Sequence, residues 1–326
     1  MSTRLKESQG PDFPNAGGRL GDAAPQFCLE TVGLSHRYAE HGSGLTDVNL
    51  QVPEGCIYGF LGPNGAGKTT TLRLVLGLLR KQHGSVALFG KEFSKHRISC
   101  LANIGSLIES PSLYEHLTAT ENLRVMQKIH RVPAARIGEV LELIGLSDTR
   151  AKLVGQFSLG MKQRLSIGLA LLHEPSLLIL DEPTNGLDPS GIIEMRELLK
   201  KLNRENGVTI LISSHLLSEI EKLASHVGII HRGRLLFQGT LEQLREKRQD
   251  AGIVTLGTSD DLRTLQFLSG QVSGARIENG CITMPCLSNA RLARINRQLV
   301  EQGIDVHKLV AVESDLETIF MNMVSN

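Results

Sequence analysis

The stretch "YGFLGPNGAGKTTTLRLVLGLL" (58–79) passes from an apolar run through a glycine-rich loop into a helical repeat without a break. Its centre, "GPNGAGKT" (62–69), matches G-x-x-x-x-G-K-[ST]. Glycines let the backbone curl until successive amides face one phosphate, and the helix that follows adds its positive end. Gly62, Pro63, Asn64, Gly65, Ala66, Gly67, Lys68, Thr69 and Thr70 are therefore read as a phosphate cradle. Lys68 would bridge the β- and γ-phosphates, and the Thr69 hydroxyl would bind Mg²⁺. Leu72, Val75, Leu76 and Leu79 keep i, i+3, i+4, i+7 spacing, so the helix is expected to run toward "RKQHG" and stop by Gly84.

Further along, short apolar runs alternate with amphipathic segments. "LLIL" leads into a helix through Ile192, Met195, Leu199 and Leu202; "VTILIS" leads into "LLSEIEKLA"; then comes "VGIIH". All-apolar strands separated by helices describe a parallel sheet covered on both faces. Ligands of such sheets sit beyond the carboxyl ends of the strands. Three runs deliver polar groups there: the glycine loop, Asp181–Glu182 in "SLLILDEPTNGLDPSG", and Ser213–Ser214–His215. If the three strands are neighbours, these groups meet at one γ-phosphate. Asp181 would then hold Mg²⁺, Glu182 would polarise the attacking water as general base, and His215 would donate to the phosphate. That is a geometry for hydrolysing ATP.

Between 117 and 172 the pattern is helical. Thr118 and Glu121 form a capping box ahead of Leu123, Met126 and Ile129. Ile137, Val140, Leu141 and Ile144 make a second stripe, stopped by Gly145, and a third, apolar helix starts near Gly160. Residues 247–326 read as β-α-β-β-α-β: strand 252–256, helix 259–269, an "ENG" hairpin near 279, helix 288–302 and strand 304–312. Ser314 and Glu317 then cap a final helix with Leu316, Ile319, Phe320 and Met323. The expected domains are a disordered tail (1–26), a nucleotide-binding domain (27–246, its helical part about 110–172) and a small α+β accessory domain (247–326).

Composition removes several alternatives. Of 326 residues, 35 are Lys or Arg and 34 Asp or Glu, a balance with no field for nucleic acid. There is no Trp for base-stacking. Five cysteines stand far apart except Cys281 and Cys286, which read as small core residues in a reducing compartment. No apolar run approaches the ~20 residues of a membrane span, and the N-terminus carries no signal-peptide core.

Residues 28–240 resemble the ATP-binding subunit of ATP-binding cassette transporters, a P-loop NTPase fold. The family's "LSGGQ"-like signature appears as "FSLGMKQRL" (157–165), keeping Ser158 and Gly160 but with Phe157, Leu159 and Met161 at the other positions. The resemblance implies that Ser158 and Gly160 donate to the ATP of a second copy, in a head-to-tail dimer across two nucleotides. It places Asp188 of "NGLD" in the loop linking the two sites. Tyr38, 24 positions before Gly62, matches the aromatic that stacks on adenine; packing on the sheet is the other reading. Glu109 stands where the family carries glutamine that coordinates Mg²⁺. With "SLGMKQRL", this substitution looks like the bacitracin- and lantibiotic-export branch. The resemblance further implies a separately encoded membrane permease as partner and a cytoplasmic position on the inner face of the membrane. A soluble nucleotide-switch regulator or scaffold is the other expectation, although the chain has one P-loop and no sustained heptads.

Overall fold

The computed structural model describes residues 26–38, 44–108, 113–149, 151–312 and, near the C-terminus, 317, 320, 321 and 323. The chain opens with β1 (Phe27–Arg37), β2 (Gly44–Val48), β3 (Gln51–Pro53) and β4 (Ile57–Leu61). Next come α1 (Lys68–Val75), β5 (His83–Leu88), β6 (Lys91–Glu92), α2 (Phe93–Leu101) and β7 (Ile104–Leu107). A helical section holds α3 (Ala119–His130), α4 (Arg136–Leu143) and α5 (Leu159–Leu171). Alternation then resumes with β8 (Leu177–Asp181), α6 (Pro189–Asn206), β9 (Thr209–Ser214), α7 (Leu217–Leu223), β10 (His226–His231) and β11 (Arg234–Thr240). The C-terminal part contains α8 (Leu241–Ala251), β12 (Ile253–Thr258), α9 (Asp261–Ser269), β13 (Arg276–Glu278), β14 (Cys281–Pro285), α10 (Asn289–Glu301) and β15 (Val306–Val312).

The sheet that carries the polar strand ends has the order β11-β10-β4-β9-β8-β7. All its pairs are parallel except the β10–β11 hairpin at one edge. Its strands are apolar throughout because both faces are covered, and the period of two divides them between two cores. Ile57 and Leu61 of β4, Leu178 and Leu180 of β8, and Ile210 and Ile212 of β9 face a core shared with α5, α6 and α7. Tyr58, Phe60, Ile179 and Leu211 face the opposite one, closed by α1 and the antiparallel strands β1, β2 and β5. The expected P-loop α/β architecture is therefore present, with a second, antiparallel sheet laid over one face.

Two helix expectations need correction. Helix α1 ends at Val75 rather than near Gly84: Gly77 takes φ +66°, and the amides of Leu78 and Leu79 both turn back to the Arg73 carbonyl. A left-handed glycine with its amides folded back is a strong stop, whatever apolar period lies beyond. Leu78 consequently sits exposed. In α3 the capping box of Thr118 and Glu121 forms in both directions, and Leu123 is buried, but Ile129 points to solvent.

The C-terminal order β12-α9-β13-β14-α10-β15 is the expected β-α-β-β-α-β, closed into an antiparallel sheet of order β13-β14-β12-β15. Asn279 and Gly280, at φ +50° and +69°, form the two-residue turn between Glu278 and Cys281. Val254, Leu256, Ile282 and Met284 meet Leu268, Leu292, Ile295 and Leu299 in a separate core. Cys281 and Cys286 are half-buried free thiols, less enclosed than expected of core residues. Of the expected last helix, Ser314, Leu316 and Ile319 lie outside the described residues. Phe320 is helical and buried, and it belongs to the core of the parallel sheet, with Leu217, Ile220, Leu241 and Leu244, rather than to the core of the four-stranded unit.

Phe320 thus couples the end of the chain to the cassette core. Phe320→Ala should lower the unfolding free energy by about 3 kcal/mol, the cost of emptying an aromatic-sized space. Urea denaturation measures it, and a change below about 0.5 kcal/mol would show that the chain end does not support that core.

Candidate nucleotide site

The three strands expected to converge are adjacent, in the order β4-β9-β8. Leu61 lies beside Ser214, and Asp181 beside Ser213. The amide of Gly62, the first residue past β4, donates to the Ser214 carbonyl at 3.2 Å, so the loop begins tied to β9. Gly67 then reaches φ +113°, where a Cβ would come within 2.6 Å of Leu45 Cδ2. It caps α1 with no side-chain bond, leaving the first-turn amides of the helix free of any side-chain cap. A loop whose Gly62 and Gly67 leave no room for a Cβ, ending on helix amides without a side-chain cap, fits an anion.

Asp181 and Glu182 are neighbours in sequence with different partners. Asp181 accepts from two hydroxyls, Thr69 Oγ1 at 2.7 Å and Ser213 Oγ. Glu182 is held in an ion pair: Oε1 lies 3.1 Å from Lys68 Nζ and Oε2 2.8 Å from His215 Nδ1. Its backbone sits at φ +48°, in the left-handed region that costs a β-carbon-bearing residue on the order of 1 kcal/mol or more. Ser213 Oγ accepts the Glu182 amide at 3.0 Å and so helps to hold that conformation. One hydroxyl therefore serves both acids. Ser213 stood at the expected strand end without a role, and its β9 position opposite Asp181 supplies one.

Lys68 is 6% exposed, and its ammonium also donates to the carbonyls of Gly62 and Pro63 at 2.7 and 3.4 Å. Three oxygens around one cation satisfy its three protons. The arrangement ties the P-loop to Glu182 through the lysine.

Tyr38, Pro63, Asn64, Gly65, Gly67, Lys68, Thr69 and Thr70 line a cleft of about 430 Å³ with Glu182, Asn185 and His215. The size is within the ~300–1,000 Å³ usual for ligand sites. Ala66 lies under the loop, buried, with its amide bonded to the Pro63 carbonyl. Tyr38 is 36% exposed, its hydroxyl 3.3 Å from Thr70 Oγ1 and its ring edge-on to His36. It stands at the cleft rim and is not packed into the sheet.

The donor set also fits a hard divalent cation. Thr69 and Asp181 place a hydroxyl and a carboxylate oxygen in contact at the foot of the cleft. Among the described residues no group of three or more His, Cys, Asp or Glu could hold a metal unaided. Two protein oxygens with the remainder drawn from phosphate and water is the coordination Mg²⁺ takes.

Other expected residues lie elsewhere. Ser158 caps α5, accepting the Met161 amide at 3.3 Å, with Gly160 in the first turn; Asp188 caps α6 through Gly191. None of these three lines the cleft of its own chain. Glu109 lies outside the described residues. Asn185 and Gly44 line the cleft and were not singled out in the sequence; Asn185 sits three residues past Glu182, where motif spacing alone assigns no function.

Residues 45–185 match the family model described as "ABC transporter". The bacitracin transport ATP-binding protein BcrA of Bacillus licheniformis is 44% identical over 299 residues, 91% of this chain and 97% of that protein. The lantibiotic transport ATP-binding protein SrtF of Streptococcus pyogenes is 46% identical over 194 residues, 60% of this chain and 83% of that one. Among solved structures, an ATP-binding subunit of an ABC transporter superposes with a TM-score of 0.59 at 33% identity, covering 68% of this chain and 92% of its own.

The cradle can be tested without turnover. Gly67→Ala forces a side chain onto an unfavourable φ and against Leu45, and should weaken binding of a fluorescent ATP analogue by ~10-fold or more. Lys68→Ala should do the same by removing the buried cation. Undiminished binding in both variants would remove the loop as the phosphate site.

Proposed function

The chain belongs to the ATP-binding subunits of ABC transporters, in the branch that includes the bacitracin and lantibiotic relatives, and on that premise we propose how its residues divide the work of hydrolysing ATP. The observation that carries the reading is the contact of Lys68 and His215 with Glu182, one residue from an Asp181 already paired to Thr69. A triphosphate in the cradle offers Lys68 a stronger anion than one carboxylate. As Lys68 turns to the phosphates, Glu182 Oε1 loses its ion pair and becomes free to accept a proton from the attacking water. His215 stays on Oε2 and holds the carboxylate in place. To bridge an ionised Glu182 and a phosphate oxygen, the imidazole would have to donate from both nitrogens. Magnesium held by Thr69 and Asp181 would neutralise the charge that builds on the phosphates. Tyr38 at the rim is placed to cover the adenine face.

Ser158, Gly160 and Asp188 have no place in this cleft, and we assign them to the cleft of a second copy. Leu159, Ile193 and Leu216 support the assignment: each adjoins the signature, the start of α6 or His215, and each is 44–52% exposed. Closing two copies head to tail would cover all three. No helix among the described residues is long and apolar enough to cross a membrane. The relatives' description as transport ATP-binding proteins supports a separate permease as partner, which would hold this subunit at the inner membrane face. The relatives' transport of bacitracin and lantibiotics supports a peptide antibiotic as cargo.

Glu182→Gln keeps the shape of the base without its charge. Turnover should fall by ~10²–10⁴, with ATP binding retained and a dimer trapped in size-exclusion chromatography; ordinary turnover would remove Glu182 as the base. Transport is tested by isolating the protein from native membranes at moderate salt. An integral membrane chain should accompany it, and consistent absence of one would favour the soluble regulator.

A further inference from the structure

One polar side chain joins the signature helix to the catalytic loop, and its chemistry is unusual for its position. Gln163 lies on α5, five residues past Ser158, and is 8% exposed. Its Nε2 donates to the Asn185 carbonyl at 3.3 Å. Since that carbonyl can only accept, the amide orientation is settled by its partner. The other end, Oε1, is buried with no hydrogen-bond partner.

A buried amide with half its polar atoms unsatisfied is a poor stabiliser. Leucine of similar size would fill the space without leaving an acceptor bare. Stability therefore does not account for the amide, and the contact to Asn185 is what distinguishes it from a leucine. Asn185 in turn lines the nucleotide cleft, and its amide donates to the Glu182 carbonyl at 3.0 Å. Two successive hydrogen bonds thus run from the signature helix to the backbone of the general base. That backbone is the strained one, at φ +48°, held otherwise through its amide by Ser213.

Helix and loop also approach each other closely through leucine side chains. A Cβ on Gly186 would come within 3.1 Å of Leu159 Cδ2, and one on Gly160 within 3.5 Å of Leu187 Cδ2. Such contacts fix how near the two segments lie but tolerate sliding, because they have no directional requirement. The Gln163–Asn185 bond is the directional element of the joint.

We propose that Gln163 is a positioning residue that sets the turn Glu182–Asn185, and with it the carboxylate of Glu182, according to where the signature helix sits. This rests on the assignment of Glu182 as base and of the signature to a second copy's nucleotide. In the closed dimer, the helix that touches one ATP then aligns the acid that acts on the other. Gln163 itself touches neither nucleotide.

The test uses the full-length chain and separates alignment from binding. Gln163→Leu and Gln163→Met should fold, with an unchanged or raised Tm because the bare acceptor is gone. Their KM for ATP should stay within about twofold, while kcat falls ~10- to 100-fold, as expected of a misplaced catalytic group. Placed in the Glu182→Gln background, either substitution should leave the residual rate unchanged, since no base remains to align. A wild-type kcat, or a raised KM with kcat intact, overturns the proposal. So does loss of fold or of ATP binding in both variants, which would make Gln163 a packing residue. Should Glu182→Gln itself turn over normally, the assignment of the base fails; should it be inactive while Gln163→Leu is fully active, only the inference drawn from Gln163 fails.

Discussion

Everything at the site follows from the parallel pairing of β4, β9 and β8. Parallel neighbours end on the same side of a sheet, so residues 62, 181 and 214, remote in the chain, finish at one edge of three adjacent strands. The pairing is rigid because each strand is buried on both faces. A shift of one residue would exchange the two cores and carry Ser213 away from Asp181. The apolar faces of the strands thus act on the chemistry at a distance, by fixing register.

Within that frame the two carboxylates differ by environment. Asp181 meets only hydroxyls, which hold its oxygens in place yet leave it free to share them with a hard cation. Glu182 meets the Lys68 ammonium and the His215 imidazole, both of which line the same cleft. Two acids in neighbouring positions with different partners is the arrangement by which a site gives one a structural charge and the other a proton to move. The left-handed backbone of Glu182 makes the separation possible, because it turns the second side chain away from the first at the point where the strand ends.

The glycine loop, the strand–helix alternation, the capping box of Thr118 and the β-α-β-β-α-β order near the C-terminus were all legible in the sequence, because each depends on local chemistry or on a short period. The resemblance to the bacitracin and lantibiotic branch rested on "SLGMKQRL" and Glu109 and agrees with the relatives found. Long-range effects were not legible. Leu79 continues the apolar period of α1, so only the left-handed turn at Gly77 shows that the helix has ended. Phe320 looks like any apolar residue of an amphipathic helix, and its place in the distant cassette core comes from the return of the chain. Ser213 bonds both acids, a role that depends on its register opposite Asp181.

The position of the signature residues bears on why such a chain acts in pairs. Ser158 and Asp188 each spend a side-chain oxygen on capping their own helix, and Gly160 lies in the first turn of α5. On the reading proposed above, these helix starts would complete the nucleotide cleft of a second copy. The short path from α5 through Gln163 and Asn185 to Glu182 would then make occupation of one cleft and alignment of the acid in the other properties of a single packed joint.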